Sequence, residues 1–337
     1  MQPAVIVNAK DNSRFEQLPT DTILRAALRA GVGLSYECNS GGCGACKFEL
    51  LHGDIETLWA NAPGLSERDR KRGRHLACQC RAKGGIAIKA TIANEYVPAI
   101  APERHKAVLT GITDITHDIR EFRFVTDSEA NFLPGQYEML DLPAVETPRA
   151  YSMSNTANAE REWHFQIRRV TQGKATHVLF EQLKIGAQIG LDGPYGMAYL
   201  RTDSPRDLVC VAGGSGLAPM ISIARGAAQA GMLAQRRLHF FYGARTPRDV
   251  CGQDLLAALE GLGTQIRYYP VVSDTSAHDW QGVKGLVHTH IPPALAQPLT
   301  DFEFYFAGPP PMTQALQEML MLEQRVPFEQ IHFDRFY

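Results

Sequence analysis

Cys38, Cys43 and Cys46, in the stretch YECNSGGCGACKFEL (36–50), are separated by four and then two residues, and HLACQC (75–80) supplies Cys78 and Cys80 further on. A C-x4-C-x2-C…C pattern is the spacing of plant-type [2Fe–2S] sites. Two irons bridged by two sulfides need four thiolates converging on one small object. Gly41, Gly42 and Gly44 lack the Cβ that would keep backbone N–H groups away from the sulfurs. Those hydrogen bonds, with solvent exposure, set a reduction potential of roughly −400 mV for this class. Structural zinc calls for paired C-x2-C elements, of which one precedes Cys78 and Cys80. A disulfide framework is disfavoured by seven cysteines, an odd number, in a chain whose start lacks the basic and apolar runs of a secretion signal. The expected setting is therefore cytoplasmic, with reduced thiols. Cys78 and Cys80 are two apart and share a side in a strand, so periodicity leaves the fourth ligand open between them.

Further chemistry lies downstream. In RAYSMSN, strand alternation puts Arg149, Tyr151 and Met153 on one face. A guanidinium beside an aromatic ring suits a flavin, the first pairing with phosphate and the second lying against the ring system. Gly173, Lys174 and Thr176 open a helix whose free N–H groups form a pyrophosphate site. VAGGSGLAPM places Gly213, Gly214 and Gly216 between a buried strand and a helix, the geometry for a dinucleotide pyrophosphate. It departs from G-x-G-x-x-G, because Pro219 falls in the first turn. FYGAR and FAGPPPM end two more strands at the carboxyl edge, where open α/β sheets bind ligands. Each glycine group taken singly also fits a tight structural turn.

The elements that position these residues change character along the chain. AVIVNA, a piece ending FEQLPT, the helix DTILRAALRAGVGL, LHGDIETL and GGIAIKATI make a small α+β unit around the cysteines. Ile23, Leu24, Ala27 and Leu28 share one face of that helix, with Thr20 or Asp21 as its cap. NEYVPAIAPERHKA reads as a linker. From Lys106 to about Leu200, short strands separated by turn residues predict an antiparallel barrel or sandwich. Beyond Pro205, buried strands alternate with helices, which predicts a doubly wound parallel sheet. The expected division is 1–96, a linker over 97–105, 106–204 and 205–337. The 337-residue chain carries a net charge of −2 and 45% hydrophobic residues, which gives no general attraction to nucleic acid. Its most apolar region is broken by glycines, Pro219 and Arg225, which argues against a membrane span.

Taken in order behind the cysteine module, RAYSMSN, GKATHVL, GPYG, AGGSGLAPM, YGAR and AGPPPM resemble the ferredoxin–NAD(P)+ reductase-type reductases. More narrowly, the chain is similar to the NADH-dependent reductase components of bacterial multicomponent oxygenases. YECNSGGCGACK, LACQC and VPFEQIHFDRFY look most like the toluene and toluene/o-xylene monooxygenase subgroup. The resemblance implies a β-grasp [2Fe–2S] ferredoxin domain, an antiparallel β-barrel FAD domain and a Rossmann-like α/β NAD domain. In the ferredoxin module the last ligand sits in an L-x-C-x context, which implies Cys78 with Cys38, Cys43 and Cys46, and leaves Cys80 as a core thiol.

Carried over residue by residue, the resemblance implies that Arg149, Tyr151, Ser152, Ile167, Arg168, Ala175 and Thr176 hold FAD, with Tyr151 and Ser152 at its reactive edge. Gly213, Gly214, Gly216, Tyr242, Arg245 and the turn Gly308, Pro309, Pro310 to Met312 would hold the nicotinamide nucleotide. Ala307 stands where the family has cysteine. Phe336 and Tyr337 would cover the flavin or anchor the core. The implied path runs from NADH to FAD to the [2Fe–2S] cluster and on to a Rieske-type ferredoxin feeding a diiron hydroxylase, with no nucleic acid or membrane partner. Arg245 and Arg248 temper the expectation of NADH over NADPH, since either could meet a 2′-phosphate. The alternatives are a reductase for a ring-hydroxylating dioxygenase or phenol hydroxylase, and, from another class, a zinc-binding or redox-sensing protein.

Overall fold

In the computed structural model, which describes residues 3–336, those residues build three large sheets and one two-stranded sheet. The first unit contains β1 (Ala4–Asn8), β2 (Arg14–Gln17), α1 (Ile23–Arg29), β3 (Lys47–His52), β4 (Ile55–Thr57), α2 (Glu67–Lys71), β5 (Arg74–Leu76), β6 (Cys80–Ala82) and β7 (Ile86–Ala90). Its five-stranded sheet runs β2-β1-β7-β3-β5, and β4 pairs with β6 alongside. α1 is held by its apolar face: Ile23, Leu24, Ala27 and Leu28 are fully buried against that sheet. The cap is Thr22, whose hydroxyl accepts from the Arg25 amide, and not Thr20 or Asp21. Asp21 is drawn away by stronger partners, the guanidinium groups of Arg29 and Arg104.

The second sheet contains β8 (Glu103–Asp114), β9 (Ile119–Thr126), β10 (Tyr137–Asp141), β11 (Arg149–Ser152), β12 (Glu162–Arg168) and β13 (Gln188–Tyr195), with α3 (Lys174–His177) before β13. The order β11-β10-β13-β8-β9-β12 is antiparallel throughout. A bridge from Met153 to Phe165 brings the two edges together into a nearly closed barrel. Phe122, Phe124, Phe132, Met153, Trp163 and Phe165 fill it. β8 begins inside the stretch expected to be linker, because Arg104 is pinned by Asp21 and Asp192.

The third sheet contains β14 (Asp207–Gly213), β15 (Leu238–Ala244), β16 (Ile266–Val272), β17 (Val283–Lys284), β18 (Phe302–Gly308) and β19 (Ile331–Arg335), with the short helices α5 (Gln253–Ala257) and α6 (Ile291–Ala294) among its connections. All six strands are parallel, in the order β17-β16-β15-β14-β18-β19. Alternation along β14 divides the core: Leu208, Cys210 and Ala212 pack under α4 (Leu217–Gln229), while Val209 and Val211 join the layer of α7 (Pro310–Gln317). The chain reverses strand order between β14 and β18, which opens a ligand crevice at their carboxyl ends. The edge strand β19 was not among the strands read from sequence. Among the described residues no helix is long and apolar enough to cross a membrane.

The units are bonded to one another. Arg29 reaches Asp21 at 2.9 Å, Asp192 of β13 at 2.8 Å and the Pro102 carbonyl at 2.8 Å. Arg25 lies 3.6 Å and Arg104 3.7 Å from the same Asp192. Tyr137, Met139 and Tyr195 of the barrel share the hydrophobic core of the first unit. On the other side Ser222 of α4 donates to the Asn155 carbonyl at 2.6 Å, and Arg225 to the Ser154 carbonyl at 2.8 Å.

Candidate functional site

The cysteine loop follows β-bridged Leu34 and leads from α1 into β3. The sulfurs of Cys46 and Cys78 lie 3.3 Å apart. The Cys43 amide points at the Cys38 sulfur at 3.3 Å, and the Ala45 amide at the Cys43 sulfur at 3.4 Å. Gly44 has φ +79°, and a Cβ there would stand 2.4 Å from the Gly64 carbonyl, so only glycine closes this loop. The Cys78 thiol is pushed well up, first by its hydrogen bond to Cys46, then by burial and by the charges of Cys46, Cys38 and Cys43. Two sulfurs in contact, those of Cys46 and Cys78, and backbone amides aimed at the other two, those of Cys38 and Cys43, suit a shared cationic core. The donor set therefore fits a [2Fe–2S] cluster.

Cys80 has a different environment. Its sulfur lies 3.9 Å from the Thr57 hydroxyl, and burial pushes its pKa up to about 12. Ala77–Gln79 form a 3₁₀ turn before β6 starts at Cys80, so the two cysteines do not share a strand face.

Around the barrel the expected flavin residues divide by depth. Arg149 is exposed at the start of β11, and one of its arms donates to the Thr147 carbonyl at 2.6 Å. Tyr151 rests against the barrel core and Ser152 is buried. Ile167 points into the core, whereas its neighbour Arg168 turns outward to Asp118 at 2.6 Å. Ala175 and Thr176 are buried at the start of α3, and the Thr176 hydroxyl is spent on the Gly173 and Val170 carbonyls, both at 3.2 Å. The first-turn amides of α3 have no acceptor within the helix. An open guanidinium, a shelved phenol ring and a set of free amides fit a flavin with a phosphate tail.

A cleft of about 320 Å³ lies at the carboxyl ends of β14, β15 and β18. Gly213, Gly214, Tyr242, Arg245, Pro309 and Met312, which the sequence reading assigned to the nucleotide, come together in its lining. Pro310 begins α7 behind Pro309, and Gly308 has φ +149° at the end of β18. Gly216 works differently from its neighbours. A Cβ there would stand 1.9 Å from the Ala307 carbonyl oxygen, so its absence lets α4 dock on β18. Ala307 itself is fully buried in the sheet core. Sequence reasoning missed Asp118, Asp249, Ser273 and the segment Gly285–His288, which complete the walls. It placed Arg168 with the flavin, but Arg168 also lines this cleft. Phe336 packs on the core of the third sheet, its amide donating to Gly308 at 3.1 Å. Tyr337 lies outside the described residues.

A short path joins barrel and cysteines. Ser152 pairs across the sheet with Tyr137, whose hydroxyl donates to the Glu37 carbonyl at 2.8 Å, next to Cys38. The Gly196 amide donates to the Tyr36 hydroxyl at 3.2 Å.

Opposite Tyr151, Glu138 is fully buried and neither of its oxygens has a hydrogen-bond partner. Burial, then the Asp192 carboxylate, push its pKa well above the ordinary 4.5, against the pull of Arg29. The fold thus holds this proton to a higher pH than the unfolded chain does. The stability this lends is complete below the unfolded value and is lost as pH rises through the folded one. Glu138→Gln is expected to flatten that decline, so that its Tm exceeds that of the parent most at alkaline pH. Thermal unfolding across the pH range checks this, and a Tm difference that does not grow with pH refutes it.

Three family models match the chain: a 2Fe-2S iron-sulfur cluster binding domain over residues 6–83, an oxidoreductase FAD-binding domain over 106–199 and an oxidoreductase NAD-binding domain over 210–318. The sequence is 42% identical over 327 residues to ferredoxin–NAD(P)(+) reductase CarAd of Metapseudomonas resinovorans, covering 94% of each chain. It is 36% identical to the ferredoxin–NAD(+) reductase component of the Xanthobacter autotrophicus alkene monooxygenase system, covering 97% and 98%. Against the xylene/toluene monooxygenase electron transfer component XylA of Pseudomonas putida the identity is 34%, covering 94% and 89%. Among solved structures, the ferredoxin reductase in carbazole 1,9a-dioxygenase superposes with a TM-score of 0.92 at 38% identity, covering 99% of both chains.

Proposed function

The chain belongs to the ferredoxin–NAD(P)+ reductases of multicomponent oxygenases, and from that premise we propose how its residues divide the work and which oxygenase it serves. It is an electron-transfer reductase with [2Fe–2S], FAD and NAD domains, which sets aside the zinc-binding and redox-sensor class. FAD, when bound, accepts a hydride and gives up electrons singly, which lets a two-electron donor feed a one-electron cluster.

Cys38, Cys43, Cys46 and Cys78 hold the cluster. Arg149 meets the flavin phosphates, Tyr151 lies against the ring system, and Ser152 stands at its reactive edge, with Ala175 and Thr176 presenting α3. Gly213 and Gly214 admit the nicotinamide nucleotide's pyrophosphate closely, while Tyr242, Arg245 and the Gly308–Met312 turn enclose it. Gly216 and Ile167 serve by packing. The units meet ahead of Glu103 and near Pro205. The observation that supports this order of transfer is the line from Ser152 through Tyr137 and Glu37 to Cys38. Anaerobic mixing with NADH tests it: flavin and cluster absorbance should both bleach, and a protein that stays coloured refutes it.

NADH is the expected donor. Asp249 stands in the cleft wall with Arg245, and a carboxylate there opposes a 2′-phosphate. The kcat/KM for NADH should exceed that for NADPH by about tenfold or more, about 1.4 kcal/mol. The reverse preference overturns the assignment.

The acceptor is a Rieske-type ferredoxin serving a diiron aromatic monooxygenase of the toluene/o-xylene type. A second reading, service to a ring-hydroxylating dioxygenase, is favoured by the 38% identity to the ferredoxin reductase in carbazole 1,9a-dioxygenase, above the 34% to XylA. Reconstituted turnover with each acceptor separates the two.

A further inference from the structure

The cysteine loop has one closed side and one open side. Tyr36 and Glu37 are held to the barrel by the Gly196 amide and the Tyr137 hydroxyl. The opposite side, Gly44–Ala45, forms the edge of a polar groove of about 430 Å³. Ala45 is exposed there, and its amide is the one aimed at the Cys43 sulfur.

The groove is basic. Lys10, Lys47, Arg74 and Lys89 line it, with Glu49 as its one acid. Lys47 and Arg74 are tied to the buried Asp69 at 2.9 and 3.1 Å, so they are fixed in place. Lys89 is 3.7 Å from Glu49, and Lys10 meets only the Thr91 hydroxyl, at 3.4 Å. The adjoining turn, RDRKRGR (68–74), carries five cations against one acid in a chain whose net charge is −2. Arg68, Lys71 and Arg72 are exposed on it. A concentration of one sign beside a redox centre raises encounter rates with the opposite sign, by roughly 10- to 1,000-fold at low salt.

We propose that this groove receives an acidic face of the one-electron acceptor protein, so that electrons enter the cluster from the Cys38 side and leave it past Gly44 and Ala45. The proposal rests on the electron-transfer reading above and names the chemistry of the partner's surface.

The test uses the holoenzyme and two stand-in acceptors, the acidic copper protein plastocyanin and the basic haem protein cytochrome c. Rates are expressed relative to NADH–ferricyanide turnover of the same preparation. Plastocyanin reduction should fall about tenfold or more as salt shortens the Debye length from ~30 Å to ~8 Å. The triple substitution Lys10→Glu, Arg72→Glu, Lys89→Glu leaves the Asp69 anchors intact. It should lower plastocyanin reduction at low salt by about tenfold or more and raise cytochrome c reduction. Unchanged plastocyanin rates and salt dependence in the triple variant overturn the docking site. So does a parent protein that reduces ferricyanide but not plastocyanin. A protein that neither bleaches with NADH nor reduces ferricyanide sinks the underlying electron-transfer reading instead, and the docking site with it.

Discussion

Cys78→Ser is expected to yield protein almost free of iron and acid-labile sulfide, with NADH-dependent reduction of protein acceptors down by more than the ~10- to 100-fold that loss of an outer-shell partner costs. NADH–ferricyanide turnover at the flavin should persist. The reason is the 3.3 Å approach of the Cys78 and Cys46 sulfurs. A hydroxyl at that position replaces a soft anionic ligand with a neutral hard one, and cluster binding is folding energy for the loop around it. Cys80→Ser is the matched control. It removes a buried thiol whose polar contact is the Thr57 hydroxyl at 3.9 Å. Burying the new hydroxyl costs about 1–3 kcal/mol, and iron should stay. Iron and sulfide analysis with visible spectra decides the matter, and equal iron in both variants contradicts the assignment.

Gly216→Ala should cripple the third unit. Its backbone, at φ −58° and ψ −9°, suits any residue, so conformation is not the difficulty. Space is: the added methyl would stand 1.9 Å from the Ala307 oxygen and 2.5 Å from its carbon. Neither is the movable end of a side chain, so α4 must lift off β18 and take the cleft floor with it. A loss of more than about 3 kcal/mol is expected, with NADH oxidation falling along with it. Gly84→Ala provides the comparison, because nothing lies within 4 Å of its Cβ position. That change should stay within about 0.5 kcal/mol. Denaturant midpoints and NADH kinetics on both proteins test this. A Gly216→Ala protein as stable and active as its parent removes the explanation.

What the sequence disclosed was local chemistry. The spacing of Cys38, Cys43 and Cys46 encodes one loop, and the glycines at 213 and 214 encode one turn, so both could be read in order along the chain. Ile23, Leu24, Ala27 and Leu28 announced the buried face of α1 for the same reason. What stayed hidden depends on partners distant in sequence. Arg168 faces the nucleotide cleft because Asp118, 50 residues earlier, draws it there. Glu138 is a polar residue in an interior position, which alternation along β10 cannot announce as unpartnered. β19 is a short run, IHFDR, with two charges and a histidine, and it becomes a strand by pairing along β18 from Phe304 to Gly308. Cys78 was separated from Cys80 by a three-residue turn rather than by any pattern of types.

The knot of Arg25, Arg29 and Arg104 around Asp21 and Asp192 has a kinetic consequence. Arg29 and Arg104 each span Asp21 of the first unit and Asp192 of the barrel, so the first unit is expected to stay on the barrel between turnovers. The internal hand-over is then governed by fixed separation and by medium reorganisation, not by a diffusive search. Thickening the solvent with glycerol should slow only the meeting with the external acceptor, and each electron within the molecule should cross at the same pace as before.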